Sequence, residues 1–299
     1  MVNLEHLRTF KLVVETGSFS GAADRLALSQ PAVSLHIKLL EAALKTRLLE
    51  RVGRRAKPTA AGAELLTQAH QVHAAMDALL SAMATHSEEV TGSVSIGTGA
   101  TACLHLLPNA LQAIRPRYPR LCVQVRTGNT SEFVRAVEDN TLDMALVTLP
   151  VRSKSLMAIE ILQDPFVAIG PRGSAMPSHQ SAAALGRQPL VLFEPGANTR
   201  GLIDAWFAAA GIAAEPVMEL GSIEAIKGMV EAGLGYSIVP AMSMPQSGRW
   251  ERSALSPPLQ RSLAVVMRRD KPMHKGLREV LRSIQEQAAL LGGKALRQA

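Results

Sequence analysis

Residues 18–41 read SFSGAADRLALSQPAVSLHIKLLE and predict two short helices joined by a tight turn. In the first half, apolar side chains recur at helical spacing, and Ser18 or Ser20 can accept the free amides at the helix start. The second helix begins at Ser29, with a proline in its first turn, where the missing N–H costs nothing. The stretch therefore predicts a helix-turn-helix.

The second helix has two different faces. Its apolar stripe is Val33, Ile37, Leu40 and Leu44. The other positions near its N-terminal end carry mostly short or polar side chains, as the reading of base edges in a DNA major groove requires: Gln30, Pro31, Ser34, Leu35 and Lys38. The alternative is purely structural, because any small helical domain has a helix pair with polar outer residues.

A basic segment follows this helix pair. Between Lys45 and Lys57 there are six Lys or Arg residues and a single acid, Glu50, while Val52-Gly53 favours a turn. A positive hairpin beside a recognition helix is the expected form of a winged helix that grips DNA phosphates.

The first 62 residues carry a dense set of motifs: Leu4, Phe10, Gly17-Ser18-Phe19, Ala22-Ala23, Leu26, Leu28-Ser-Gln-Pro-Ala-Val-Ser34, Leu40-Glu41, Leu44, Leu48, Arg51 and Pro58-Thr59-x-x-Gly62. Together they resemble the N-terminal signature of LysR-type transcriptional regulators. Two positions depart from that pattern, since the family usually has Gly where Lys45 stands and Phe where Leu49 stands.

The resemblance implies a head that binds promoter double-stranded DNA. In that reading the bases or the thymine methyl face Gln30, Pro31 and Ser34, whereas phosphates or the minor groove contact Lys38, Arg51 and Arg54. Ser20 and Leu35 complete the expected DNA-binding set.

Charge is unevenly placed along the chain. Residues 1–58 hold ten Lys and Arg against five Asp and Glu, so they carry +5 of the chain's formal net charge of +7. The basic excess therefore indicates a polyanionic partner for the N-terminal module rather than a generally cationic surface.

Composition favours globular domains in a reducing compartment. A chain of 299 residues with 47% hydrophobic side chains predicts about two domains, each with its own core. We find no signal peptide and no run of about eighteen apolar residues, so we expect a cytoplasmic location and no membrane contact. Cys103 begins a helix and Cys122 begins an apolar strand, where we expect it in the core; a redox switch is the less favoured alternative.

A heptad seam follows the basic segment. Apolar residues step by four and three along a predicted helix: Leu65, Ala69, Val72, Met76, Leu79 and Met83. We expect this helix, within residues 59–88, to pair with a second copy of the chain; the alternative is packing on its own effector domain. His70 and His73 share the helix, but solvated histidines are favoured over a metal site, because no carboxylate or cysteine partner lies nearby.

The character changes near residue 92 to alternating strands and helices. Strands are predicted at 93–97, 121–126 and 143–148, with helices at 104–115 and 131–138 between them. The same order repeats with strands at 190–193, 216–220 and 236–239 and helices at 200–210 and 223–232. Extended segments at 157–170 and 262–267 and a last helix at about 273–291 complete the prediction.

The predicted fold class is α/β with an all-α winged helix-turn-helix head. The repeat predicts two Rossmann-like lobes, and the family resemblance implies the type 2 periplasmic-binding-protein architecture. We expect a DNA-binding domain over 1–58, a linker and dimerisation helix over 59–90, and an effector domain over 91–299. Within the last, lobe one covers about 91–160 and 268–299, and lobe two covers about 161–267.

Ligands of open parallel sheets bind beyond the carboxyl ends of the strands, where loops lead into helix N-termini. Those loops carry hydroxyls, amides and one cation: Thr98, Gly99, Thr101, Thr127, Asn129, Thr148, Thr199 and Arg200. They favour a small anion, most simply a carboxylate, as the effector. The alternative for any one of them is a helix cap.

The favoured function is a LysR-type transcriptional regulator controlled by a small effector. The resemblance implies a homodimer or homotetramer, with RNA polymerase as a further partner and no cofactor. The alternative is a small-molecule-binding or enzymatic module whose helical head docks a protein. Against an enzyme, the sequence has no Gly-x-Ser-x-Gly, no zinc-type Cys and His spacing and no Walker-type phosphate loop.

Overall fold

A computed structural model describes residues 2–53, 55–84, 90, 92–245 and 249–295. Residues up to Leu79, together with 139–141, form one compact unit, and the remaining residues form another. We call them the head and the effector unit. Among the helices of the described residues, none is long and apolar enough to cross a membrane.

The head is a three-helix core with a hairpin. Its elements are α1 (Leu4–Thr16), α2 (Phe19–Leu26), α3 (Gln30–Leu44), β1 (Leu49–Val52) and β2 (Arg55–Pro58). Ser18 and Ser29 cap α2 and α3 by accepting the amides of Gly21 and Ala32. The apolar stripe packs against α1, burying Phe10, Val13, Val33, Ile37 and Leu40. The predicted helix-turn-helix and its hairpin are confirmed.

The end of α3 explains how one departure from the family pattern is tolerated. Lys45 adopts a φ of 53°, the left-handed conformation in which its amide bonds back to Ala42 and Glu41. Gly takes this conformation without strain, whereas the Cβ of any other residue strains the backbone there. Lys45 therefore ends α3 in a conformation that Gly favours, at some cost in stability.

A long helix, α4 (Ala60–Ala84), follows the hairpin. The hydroxyl of Thr59 accepts the amide of Gly62 and caps its start. The first part of the predicted seam belongs to the head, because Ala69 is buried in the head core and Leu65 packs against it. Val72, Met76 and Leu79 are exposed.

Lobe one of the effector unit begins with β3 (Gly92–Thr98), α5 (Ala100–His105), α6 (Leu107–Ile114), β4 (Leu121–Thr127), α7 (Thr130–Glu138) and β5 (Met144–Thr148). β3 pairs in parallel with both β4 and β5. The four buried residues Met144–Val147 alternate between two apolar clusters on opposite faces of the sheet. The predicted parallel βαβαβ arrangement is confirmed.

Two expectations about lobe one were wrong. The single helix predicted at 104–115 is two helices that meet at Leu106, because Pro108 in the first turn of α6 cannot donate a helical hydrogen bond backwards. Cys122 is exposed rather than in the core. It lies on β4, an edge strand whose alternate side chains face outward.

β6 (Leu156–Pro171) passes from lobe one into lobe two. Lobe two also contains β7 (His179–Ser181), α8 (Ala182–Leu185), β8 (Leu190–Phe193), α9 (Asn198–Ala209), β9 (Pro216–Leu220), α10 (Ile223–Glu231), β10 (Ser237–Pro240), a 3-10 turn (Ala241–Ser243) and β11 (Trp250–Ser256). β8 pairs in parallel with β9 and touches Tyr236 by a parallel bridge. The repeated strand and helix order is thus confirmed, whereas β7, α8 and β11 were not predicted.

The lobes share one sheet. Its strand order is β4-β3-β5-β12-β6-β11-β7, with β10 also paired to β6. The strand β12 (Gln260–Arg268) lies between β5 and β6, and α11 (Lys275–Ala295) ends the described chain. β6 pairs with β12 up to Pro165 and with β10 and β11 from Phe166 onward, so the chain passes between the lobes there.

Candidate functional site

The outward face of α3 carries the predicted base-reading residues. Gln30, Pro31 and Lys38 are exposed, Leu35 has 54% of its surface exposed, and Ser34 is half-buried. The Gln30 amide donates to the Ser34 hydroxyl over 3.0 Å, which presents both groups together one turn from the helix start. Because Val33, Ile37 and Leu40 point into the core, this polar face remains available to a groove.

The hairpin lies beside this face. Its backbone is tied to the start of α2, because the amide of Ala56 donates to Gly17 over 2.9 Å. One carboxylate oxygen of Glu41 accepts the amides of Leu48 and Leu49, so this acid holds the hairpin to α3. Arg55 and Lys57 are exposed on β2, and Ser20 is exposed on α2. The side chain of Arg51 and the whole of Arg54 lie outside the described residues.

The effector unit contains a cleft of about 310 Å³ at the carboxyl ends of its parallel strands. Six of the eight predicted effector residues line it: Gly99, Thr101, Thr127, Asn129, Thr148 and Thr199. Thr98 is fully buried beneath the loop and does not line the cleft, although its carbonyl accepts the amide of Gly128 and so joins two of the lining loops. Thr101 is buried, with 8% of its surface exposed, and lines the cleft at the start of α5.

Arg200, the cation predicted for the effector site, does not line this cleft. Its guanidinium donates to Asp204, to Glu219 and to the carbonyl of Phe193. These three acceptors hold it against lobe two.

Arg261 is the cation that lines the cleft. It is only 7% exposed, and its Nη1 donates to the Thr199 hydroxyl over 3.3 Å. Its Nε donates to Oδ2 of Asp164 over 3.0 Å, and its Nη2 lies 2.9 Å from the same oxygen. Arg261 lies at the start of β12 and Asp164 on β6, so the pair joins two neighbouring strands.

Asp164 is an unusual partner, because it is only 1% exposed. Burial raises the pKa of its carboxyl, and Arg261 together with the amide of Met242 opposes that rise. Sequence reasoning missed both residues, since they are far apart in the chain and belong to no local motif. The available signal was a cation, Arg261, directly before the extended segment predicted at 262–267.

The start of α9 adds positive potential. Its N-cap residue is Ala197, which supplies no side-chain cap, and the first helical bond runs from Gly201 to Ala197. The first turn of α9 therefore has no capping side chain at its N-cap, and it forms the positive end of the helix dipole. Asn198 and Thr199 bring this end of the helix to the cleft wall.

Comparisons with known proteins agree with both units. A family model described as "Bacterial regulatory helix-turn-helix protein, lysR family" matches residues 4–63, and one described as "LysR substrate binding domain" matches residues 87–289. The chain is 33% identical over 242 residues to the HTH-type transcriptional regulator CbbR of Xanthobacter flavus, covering 80% of this chain and 72% of that protein.

Solved structures share the fold. A variant of full-length OxyR from Pseudomonas aeruginosa superimposes with a TM-score of 0.76 at 21% identity, covering 95% of this chain and 98% of that one. Full-length CbnR in complex with its target DNA gives 0.68 at 22% identity, covering 96% and 100%. Family models match the sequence in both units, which is stronger evidence than a shared fold. This chain therefore belongs to the LysR family of DNA-binding transcriptional regulators.

Proposed function

We propose that this regulator reads its promoter with the outward face of α3 and responds to a small carboxylate held in the cleft of the effector unit. The observation that carries the effector class is the contact of Arg261 with Thr199, at the start of a helix whose N-cap supplies no side-chain bond. Cations and helix N-termini both favour anions, and here the two converge on one wall.

The DNA-binding roles divide by chemistry. Gln30 and Ser34 offer hydrogen bonds to base edges, and Pro31 and Leu35 offer apolar contact to thymine methyl groups. Lys38, Arg51 and Arg54 offer charge to phosphates or to the minor groove, and Ser20 offers a hydroxyl. The exposure of Gln30, Pro31, Leu35 and Lys38 supports this division.

Two substitutions test the division. Lys38→Ala should weaken binding to every duplex and reduce the slope of log affinity against log salt by about 1, because one phosphate contact is lost. Gln30→Ala should cost about 1–3 kcal/mol on the operator and little on random DNA. Gel shifts at two salt concentrations measure both, with upstream DNA and a shuffled duplex.

The matched control is Lys154→Ala, which removes one exposed positive charge from the effector unit. It should bind both duplexes as wild type does. An equal loss of operator and random binding in Gln30→Ala, or a loss confined to the operator in Lys38→Ala, would contradict the assigned roles.

We further propose that the chain is a homodimer through residues 59–88, and that two dimers form a tetramer able to contact RNA polymerase. On α4, Val72, Met76 and Leu79 follow the four and three spacing of a coiled-coil seam, and Leu79 has 56% of its surface exposed. An apolar stripe of this kind is stabilised when a second helix covers it. Residues 85–88 and the side chain of Met83 lie outside the described residues.

The effector class has its own test. In a thermal-shift screen of the full chain against short mono- and dicarboxylates, an acid at about one hundred times its Kd should add about 2.7 kcal/mol to the free energy of unfolding. Its primary amide should give no shift, because it lacks the charge. Thr101→Val, which removes only a hydroxyl from the cleft wall, should weaken the shift. An amide as effective as its acid would contradict a carboxylate effector.

A further inference from the structure

Three charged or titratable side chains bridge the two lobes away from Arg261. His105 ends α5 in lobe one, and its Nε2 lies 3.4 Å from Oε1 of Glu224 on α10 in lobe two. The Nζ of Lys227 lies 2.7 Å from the same oxygen. Their helices belong to separate cores, since Ala102 and Leu106 pack in lobe one and Ile223 and Ile226 in lobe two.

Lys227 is fixed within lobe two. Its side chain is 6% exposed, its Nζ donates to the carbonyl of Ser243 over 2.9 Å, and it lies 5.7 Å from the centre of the Trp250 ring. The Trp250 indole N–H in turn donates to the carbonyl of Lys227 over 2.8 Å. A buried lysine needs a counter-charge, and Glu224 supplies it. Lys227 therefore positions the Glu224 carboxylate, which also lies beside His105.

The bridge connects with the cleft at both ends. Ser243 belongs to the 3-10 turn in which the amide of Met242 donates to Asp164, the partner of Arg261. On the other side, α5 runs from Ala100 and Thr101, which line the cleft, to His105. Separation of the lobes would therefore break the contact of His105 with Glu224 and change the cleft together.

We propose that neutral His105, half-buried between the lobes against Glu224 and Lys227, is an inter-lobe latch, and that acidification, by placing a charge on the imidazole, releases the latch and opens the cleft. The regulatory meaning of the latch rests on the proposed effector site. The latch itself is a property of the effector unit alone.

The direction of the pH effect follows from the surroundings of His105. Burial lowers the pKa of its imidazole, Lys227 lowers it further, and Glu224 opposes both. The charged groups that act on His105 are these two residues of α10; α5 itself adds the thiol of Cys103, and the 3-10 turn contributes only Ala, Met and Ser. In the closed arrangement Nε2 is buried and has no well-directed hydrogen bond.

Opening exposes His105 and returns its pKa towards 6.5, so the open form binds a proton more readily than the closed form. By linkage, a fall in pH through that value favours the open form. Above it the imidazole is neutral, and the latch stays closed.

Lobe separation can be measured without effector or DNA. Spin labels at Lys154→Cys in lobe one and Gln188→Cys in lobe two, both exposed positions, would report the distance in the full chain with Cys103 and Cys122 replaced by Ser. Dilution with unlabelled chain suppresses distances between copies. The population at the open distance, divided by the population at the closed distance, should rise about three- to tenfold from about pH 7.5 to about pH 5.5.

His105→Gln, which is neutral throughout, should abolish this rise. His179→Gln, which removes an exposed histidine of lobe two, should keep it. Glu224→Gln should open the lobes already at about pH 7.5, because Lys227 loses its counter-charge. A wild-type ratio that does not change with pH, or an unchanged rise in His105→Gln, would overturn the latch. Because neither ligand is present, failure here leaves the DNA and carboxylate tests untouched.

Discussion

Arg261→Met should lower the free energy of unfolding of the effector unit by about 3–5 kcal/mol, because it leaves the carboxylate of Asp164 buried without its counter-charge. Asp164 is 1% exposed, and beyond Arg261 the amide of Met242 is the donor that the structure gives it. Met fills much of the space of the arginine stem, so the loss reports the charge more than a cavity. Urea unfolding followed by circular dichroism measures it.

The loss of unfolding free energy in Arg261→Met should depend on pH. Burial already raises the pKa of Asp164 and Arg261 opposes the rise, so removal of the arginine raises this pKa further. The folded variant then binds a proton that the unfolded chain, with its carboxyl near 3.8, does not hold. The stability of Arg261→Met relative to wild type should therefore recover as the pH falls from about 7 towards about 5.

The double variant Asp164→Asn with Arg261→Met separates stability from binding. With both charges gone, its stability should return to within about 1 kcal/mol of wild type. It still lacks the cation of the cleft, so a carboxylate that stabilises wild type should no longer do so. A double variant as unstable as Arg261→Met would show that the buried ion pair is not the source of the loss.

The head shows how much local sequence determines. The stripe at Val33, Ile37 and Leu40 and the cap at Ser29 are local signals, and the structure places each as predicted. The loops of the cleft were equally predictable from the sequence, because strand order alone brings Thr101 and Asn129 to one edge of a sheet.

Local sequence reasoning could not identify Arg261 as a cation of the cleft, for a physical reason. Arg200 begins a predicted helix and Arg261 precedes a predicted extended segment, and only the position of acceptors in three dimensions decides which arginine lines the cleft. Glu219 lies on a neighbouring strand and takes up Arg200, whereas Asp164 holds Arg261 beside Thr199. Such pairings join residues far apart in sequence, so no periodicity or spacing reveals them.

Gly62→Ala should destabilise the head by about 1–3 kcal/mol, although Gly to Ala within a helix ordinarily stabilises by about 1 kcal/mol. Gly62 lies in the first turn of α4, where a Cβ would come within 2.0 Å of the carbonyl oxygen of Leu48. That carbonyl cannot yield easily. It accepts the amide of Thr59 over 3.0 Å, and the amide of Leu48 donates to Glu41 over 2.8 Å.

The clash therefore pushes α4 away from the hairpin, which Glu41 holds against α3. Operator binding should fall together with the stability of the head. Amide hydrogen exchange of the full chain measures the loss and locates it in the head. The matched control is Gly201→Ala in α9, where a Cβ would meet nothing within 4 Å and the usual helical gain of about 0.5–1 kcal/mol should appear. If both substitutions stabilised, the contact of Gly62 with Leu48 would not be the constraint that fixes the hairpin on α3.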